Sequence, residues 1–188
     1  VLSEEQLDGL ADICRRRGVF YISDEVYREF VYDVPAGTLA PSILSRPGTE
    51  ELGIVIDSVS KRYSACGARV GCLVTRNNDV YRAALHFAQA RLSPATVDQY
   101  AAMAALRTPQ SYFDDVVKEY TARRNVLVDG LNAIGIECPR PQGAFYLAVA
   151  LPVDDADAFA QWMVSDFDLD GDSLCVAPLA GFYHTPGL

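Results

Sequence analysis

Apolar residues recur at helical spacing from the first turn of the chain. Leu7, Leu10 and Cys14 share one helix face, and Ser3 stands where a capping hydroxyl is expected. Gly18 ends the pattern, because glycine readily adopts the left-handed conformation that closes a helix. The pattern therefore predicts a helix between Ser3 and Gly18.

Three short apolar runs farther along the chain predict strands: residues 19–22, 54–56 and 70–75. Continuous apolar runs of this kind are typical of strands buried on both faces of a parallel sheet. Because the strands alternate with helices, the pattern predicts an α/β layer with a mainly parallel sheet. Residues 35–50 contain prolines at weakly patterned positions and are predicted to be a loop with one short turn.

The second half of the chain is predicted to be mainly helical before a new alternation begins. Helices are expected at 78–90, 94–107, 109–134 and 154–167, and strands at 143–151 and 174–177. We expect residues 1–112 to be part of a large α/β domain. Residues 113–188 are then expected to form a long linking helix and an incomplete, small α+β domain.

Composition places the chain among ordinary globular proteins. Of its 188 residues, 50% are hydrophobic, and the formal net charge of −9 argues against a nucleic-acid or anionic-membrane surface. The five cysteines are scattered without a C-x-x-C pair, which favours free thiols over a disulfide framework or a metal site. No apolar run has the length of a membrane helix, and we expect a cytoplasmic protein.

One lysine stands among hydroxyl groups in the sequence Ser58-Val59-Ser60-Lys61. Arginine dominates the 16 basic residues, and the other lysine, Lys118, lies in the middle of a predicted helix with a solvated face. Only a lysine amine can lose its proton and condense with an aldehyde. Arg69 lies close by in the sequence and could bind a phosphate. Together, Lys61 and Arg69 indicate a cofactor that carries both an aldehyde and a phosphate, and pyridoxal phosphate is such a cofactor.

Two further side chains follow the first predicted strand and suit the same cofactor. Asp24 could hold a proton on the pyridine nitrogen, and Tyr27 could donate a hydrogen bond to the ring's phenolic oxygen. In α/β sheets, functional sites usually lie beyond the carboxyl ends of the strands, and Asp24 and Ser58 both lie at such ends. Taken singly, each residue has a simpler reading as a turn former, packing residue or surface charge.

The combination of these residues resembles the class I aminotransferases of fold type I, which depend on pyridoxal phosphate. The similarity rests on Asp24–Tyr27 (DEVY) and on Ser58–Thr75, which contains S-x-S-K and the Arg69-Val70-Gly71 sequence. Phe87–Pro94 and Gln142–Tyr146 (QGAFY) are similar to later segments of the same family. Within the family, the resemblance points to a bacterial subset described as aspartate aminotransferases.

The resemblance implies a role for six residues of this chain. Lys61 would be the Schiff-base lysine, and the cofactor would also contact Asp24 at its ring nitrogen, Tyr27 at its phenolic oxygen, and Ser58, Ser60 and Arg69 at its phosphate. The family's phosphate-loop segment and its arginine for the substrate carboxylate are not found in this sequence. We therefore expect an internal piece of a longer enzyme, inactive alone, whose full-length form is a homodimer.

The implied activity is transfer of an amino group between an amino acid and a 2-oxo acid. Aspartate with 2-oxoglutarate is the first expectation for the substrates. The same residues would also serve a pyridoxal-phosphate-dependent carbon–sulfur β-lyase of this fold. A non-catalytic module that keeps the fold is the alternative from a different class.

Overall fold

The computed structural model describes residues 1–182, and its elements alternate between helices and short strands. In chain order they are α1 (Glu4–Arg17), β1 (Tyr21–Asp24), β2 (Gly53–Ser58), α2 (Val59–Arg62), β3 (Gly71–Thr75), α3 (Asn78–Arg91), α4 (Thr96–Ala105), α5 (Gln110–Ala133) and α6 (Ala156–Ser165). Single 3-10 turns lie at Ile43–Ser45, Cys66–Ala68 and Ala180–Phe182. Within residues 1–182, no helix combines the length and the apolar character that crossing a membrane requires.

Helix α1 begins and ends where the sequence predicts. The Ser3 hydroxyl accepts a hydrogen bond from the Gln6 amide, and the Gln6 side chain accepts one from the Ser3 amide. Gly18 closes the helix with φ of 63°. The apolar face of α1 buries Leu7 and Ala11 in a core cluster with Ile43 and Val55, so the helix covers part of the sheet.

The sheet has three strands in the order β1-β2-β3. Strands β1 and β2 are parallel, and β3 runs antiparallel to β2, so the sheet is mixed within an α/β layer. The prediction of an α/β fold is confirmed. The prediction of strands buried on both faces is wrong for β1 and β3. Ile22 in β1 is 64% exposed and β3 is exposed at Leu73 and Val74, whereas Ile54 and Val55 in β2 are buried.

The loop after β1 is organised around the buried carboxylate of Glu25. One carboxylate oxygen accepts hydrogen bonds from the Ser42 hydroxyl and the Ile43 amide, each at 3.0 Å. The other oxygen lies 3.6 Å from the Arg28 Nε. These contacts fix the 3-10 turn at Ile43–Ser45. Residues 35–50 form a loop, as predicted, but it contains further turns at 36–37 and 47–48 besides the one expected.

The four later helices are confirmed, but the two strands predicted in the second half are not. Residues 143–151 and 174–177 contain no strand; only an isolated antiparallel bridge joins Val31 and Gly143. A strand needs a neighbouring strand for its backbone groups. In the described part of the chain, the backbone of Gln142 and Ala144 bonds to an irregular loop instead.

The chain divides into two compact units. The first contains Val1–Val126 and Arg140–Tyr146; the second contains Leu127–Pro139 and the chain from Leu147 onward. In the second unit Val128, Ala160 and Met163 are buried. The predicted domain boundary near residue 112 stays a prediction.

Arg124 clamps three parts of the first unit together. Its side chain is only 7% exposed, and it donates to both carboxylate oxygens of Asp33, at 2.8 and 3.0 Å. It also donates to the Pro141 carbonyl at 2.9 Å, and its guanidinium lies 4.9 Å from the Tyr32 ring centroid. Burial raises the pKa of the Tyr32 hydroxyl to about 12, although the charge of Arg124 opposes that shift.

We expect Arg124→Met to lower the free energy of unfolding by about 1–3 kcal/mol. The substitution leaves the Asp33 carboxylate and the Pro141 carbonyl without their shared donor. Arg123→Met is the matched control, because Arg123 is exposed and pairs with Glu119 on the same helix, so its loss should leave the urea midpoint nearly unchanged. Urea unfolding of the whole protein measures both, and equal effects would contradict the clamp.

The contribution of this pair should depend on pH in one direction. Hydrogen bonds from Arg124 hold the pKa of Asp33 below its ordinary value of 3.8. A carboxyl whose pKa is lower in the folded chain stabilises at pH above the unfolded value and loses that effect as pH falls through the folded value. The stability difference between wild type and Arg124→Met should thus stay constant between about pH 5 and 7 and shrink below pH 3.8. A difference that grows on acidification would contradict this assignment.

Candidate active site

The two parallel strands bring Asp24 and the Lys61 segment to one edge of the sheet. Asp24 is the last residue of β1, and its Cα pairs with that of Ile56 in β2. Ser58 follows two residues later on β2. With ordinary strand rise and spacing, the Cα atoms of Asp24 and Ser58 are about 8 Å apart. The structure therefore brings together the two segments that the sequence predicts to share a site.

The Ser58 hydroxyl organises the junction between β2 and α2. Its oxygen accepts a hydrogen bond from the Ser60 amide at 3.1 Å, which caps the short helix that carries Lys61. It lies 2.9 Å from the Val70 carbonyl and 2.8 Å from the Ser60 hydroxyl oxygen. Because a hydroxyl has one proton, Ser58 must exchange its bond to Val70 before it can donate to a ligand.

Arg69 lies two residues before strand β3, at the same edge of the sheet. Gly71 pairs with Ser58 across the antiparallel ladder, and the Val59 amide donates to the Val70 carbonyl at 3.2 Å. A Cβ on Gly71 would lie 2.8 Å from the Asp57 carbonyl oxygen, so this close approach requires glycine. Arg69 itself is exposed and donates to the Cys66 carbonyl at 3.0 Å.

Arg62, next to Lys61, anchors helix α2 through two carboxylates. Its guanidinium lies 2.8 Å from Glu29 and 2.8 Å from Asp57, and all three side chains are largely buried. Burial alone would lower the pKa of Arg62, but the two carboxylates outweigh it and raise that pKa above its ordinary value. Sequence reasoning did not single out Arg62, because its partners Glu29 and Asp57 lie on other elements.

Tyr27 lies in the turn after β1 and meets a residue from a distant part of the sequence. Its hydroxyl is 2.7 Å from the hydroxyl of Tyr146, which is 119 positions away. Burial raises the pKa of Tyr27 above its ordinary value. The resemblance of residues 142–146 to a family segment is the one signal in the sequence that could have drawn attention to Tyr146.

The predicted site residues thus occupy one region of the first unit. Asp24 is exposed, with one carboxylate oxygen accepting from the Val26 amide at 3.3 Å, and Lys61 is half-buried. The carboxylate, amine, guanidinium and hydroxyls suit a ligand that carries a basic ring nitrogen, an aldehyde and a phosphate. The role of each residue toward such a ligand stays a prediction.

Comparison with known sequences identifies the family. The family model for aminotransferase class I and II matches residues 1–169. The chain belongs to this family, as the motifs around Asp24 and Lys61 predict.

Individual relatives agree with this assignment. The chain is 34% identical to the LL-diaminopimelate aminotransferase of Desulforudis audaxviator over 87% of this chain and 41% of that protein. It is 32% identical to the aspartate aminotransferase of Geobacillus stearothermophilus over 78% of this chain and 37% of that protein. The chain therefore spans less than half the length of the curated relatives it matches.

Solved structures share the fold. The aspartate aminotransferase of Thermotoga maritima matches with a TM-score of 0.75 and 31% identity, over 88% of this chain and 42% of that structure. The aromatic aminotransferase of Pyrococcus horikoshii matches with a TM-score of 0.76 and 29% identity, over 88% and 44%. The architecture is therefore part of the aminotransferase fold, which confirms the predicted fold class.

Proposed function

We propose that the protein is a pyridoxal-phosphate-dependent aminotransferase that moves an amino group between an amino acid and a 2-oxo acid. The observation that carries the proposal is the parallel pairing of β1 and β2, because it sets the Asp24 carboxylate beside the segment that bears Lys61. Family membership supports the same reaction. The relatives' names cover several amino acids, so the class of reaction is better supported than the substrate.

The donor set of the first unit fits the cofactor. Ser60 and Arg69 offer a hydroxyl and a planar guanidinium for a phosphate, and Ser58 can join them if it releases Val70. Asp24 offers a carboxylate that would keep a pyridine nitrogen protonated. When bound, pyridoxal phosphate supplies an electron sink that stabilises negative charge at the substrate's α-carbon.

Lys61 is the catalytic residue in this proposal. Its amine would hold the cofactor covalently through the aldehyde. Once the substrate has freed it, the same amine would accept and return the proton of the substrate's α-carbon. The ion pairs of Arg62 with Glu29 and Asp57 would hold the helix that carries this amine.

Aspartate with 2-oxoglutarate is the proposed first substrate pair. The aspartate aminotransferases of Geobacillus stearothermophilus and Thermotoga maritima are among the proteins this chain resembles. We also propose that the whole enzyme is a homodimer, as the family resemblance implies, and that it is cytoplasmic, as its scattered free cysteines favour.

The lysine assignment is testable by absorbance. The whole protein mixed with pyridoxal phosphate should show a visible band, because a lysine bonded to the aldehyde extends the conjugation of the ring. Lys61→Ala should abolish the band, and Lys118→Ala, which changes the chain's other lysine, should leave it intact. A band that survives Lys61→Ala would show that another amine holds the cofactor.

Product analysis tests the type of reaction. With aspartate and 2-oxoglutarate, the whole protein should form oxaloacetate and glutamate in equal amounts, because nitrogen is transferred and not released. Lys61→Ala should lower the rate at least about 1,000-fold, since it removes the proton-transfer group. Pyruvate and ammonia formed from cysteine-like substrates would instead identify a carbon–sulfur lyase.

A further inference from the structure

Residues 142–146 form a short segment that is fixed against the loop after β1. The Ala144 amide donates to the Phe30 carbonyl at 2.9 Å, and the Tyr32 amide donates to the Gln142 carbonyl at 2.9 Å. These bonds flank the isolated bridge between Val31 and Gly143. The segment is thus held by its backbone, independently of the side chains that follow.

The backbone of this segment is specialised at two neighbouring positions. A Cβ on Gly143 would lie 2.6 Å from the Phe30 carbonyl oxygen, so the close approach to the loop requires glycine. Ala144 has φ of 56°, a left-handed conformation that residues with side chains rarely adopt. This arrangement carries the chain into Phe145 and Tyr146, and both rings meet Tyr27.

The rings around Tyr27 fix where its hydroxyl lies. Phe145 packs against Tyr27 edge to face, with centroids 5.0 Å apart, and Tyr146 does so at 5.6 Å. The two tyrosine hydroxyls are 2.7 Å apart. Tyr146 is otherwise 62% exposed, so packing in a core does not account for its position.

The direction of this hydrogen bond decides what Tyr27 can do. Each phenol has a single proton, and if Tyr27 donates to Tyr146 it keeps only acceptor sites for anything else. If Tyr146 donates, the proton of Tyr27 is free to point away from the pair. Donation from Tyr146 also polarises Tyr27 and makes it a stronger donor.

We propose that Tyr146 is a positioning residue whose hydroxyl donates to Tyr27 and thereby directs the proton of Tyr27 toward the phenolic oxygen of the cofactor. The inference rests on the proposed function, because it assigns Tyr27 to that oxygen. It extends that function to Tyr146, which would act through Tyr27.

The pH dependence of the visible band tests this inference in the whole protein loaded with pyridoxal phosphate. A donor at the phenolic oxygen stabilises the form in which the lysine linkage has lost its proton, so it lowers the midpoint pH of the band. Tyr146→Phe should raise the midpoint by roughly 0.2–0.6 pH units, and Tyr27→Phe by about 1 unit or more. Tyr120→Phe is the matched control, because Tyr120 stacks on Phe145 in the same cluster, and it should leave the midpoint unchanged.

A double substitution separates a positioning role from a structural one. In a Tyr27→Phe background, adding Tyr146→Phe should produce no further shift, because Tyr146 acts through Tyr27. If Tyr146→Phe shifts the midpoint pH by the same amount in both backgrounds, the inference is overturned. It is also overturned if Tyr146→Phe does not shift the midpoint pH in the wild-type background.

A second readout requires no cofactor. In the cofactor-free protein labelled at the tyrosine Cζ with carbon-13, Tyr146→Phe should move the Tyr27 resonance, and Tyr120→Phe should leave it in place. An unmoved Tyr27 resonance would overturn the hydrogen bond and the inference with it. If the wild-type protein shows no visible band, the proposed function is overturned and this role with it. If the band is present but its midpoint pH does not change in Tyr146→Phe, only this inference is overturned.

Discussion

The pairing of β1 with β2 is the constraint on which the candidate site depends. The two strands are parallel, so their carboxyl ends lie at one edge, and the register sets Asp24 beside Ile56. A slip of one residue would turn the Asp24 side chain to the opposite face of the sheet, because side chains alternate along a strand. The antiparallel strand β3 then sets Gly71 beside Ser58, with Arg69 two residues before it. Backbone pairing between the strands thus brings the three segments to one edge.

Some charged side chains around the site bond to other groups of the fold, and others are available to bind a ligand. Glu25 is buried and bound by the Ser42 hydroxyl and the Ile43 amide, and Arg62 is shared between Glu29 and Asp57. Each of these groups is partly neutralised within the fold, which is the condition under which buried charge is tolerated. A ligand would therefore meet a rigid frame whose internal ion pairs need not rearrange when it binds.

Sequence patterns could predict the elements whose signals are local. The capping hydroxyl of Ser3 and the left-handed Gly18 set the ends of α1. Lys61 could be predicted because it is the lysine that stands among hydroxyl groups. The exposure of Ile22 could not be predicted, because an apolar run does not reveal what covers each face of a strand. The contact of Tyr27 with a residue 119 positions away was equally inaccessible, since it depends on how an irregular segment docks on a loop.

Backbone strain at Arg69 fits its proposed role as a phosphate ligand. Its φ of 52° and ψ of 35° lie in the left-handed region, where a residue with a side chain costs about 1 kcal/mol or more relative to glycine. Glycine would adopt this conformation without that cost, as Gly18 does at the end of α1. An arginine is therefore unfavourable for the turn itself, and the proposed binding of a phosphate by its guanidinium would account for its presence there. The same reasoning applies to Ala144, whose strained backbone leads the chain into the tyrosine that meets Tyr27.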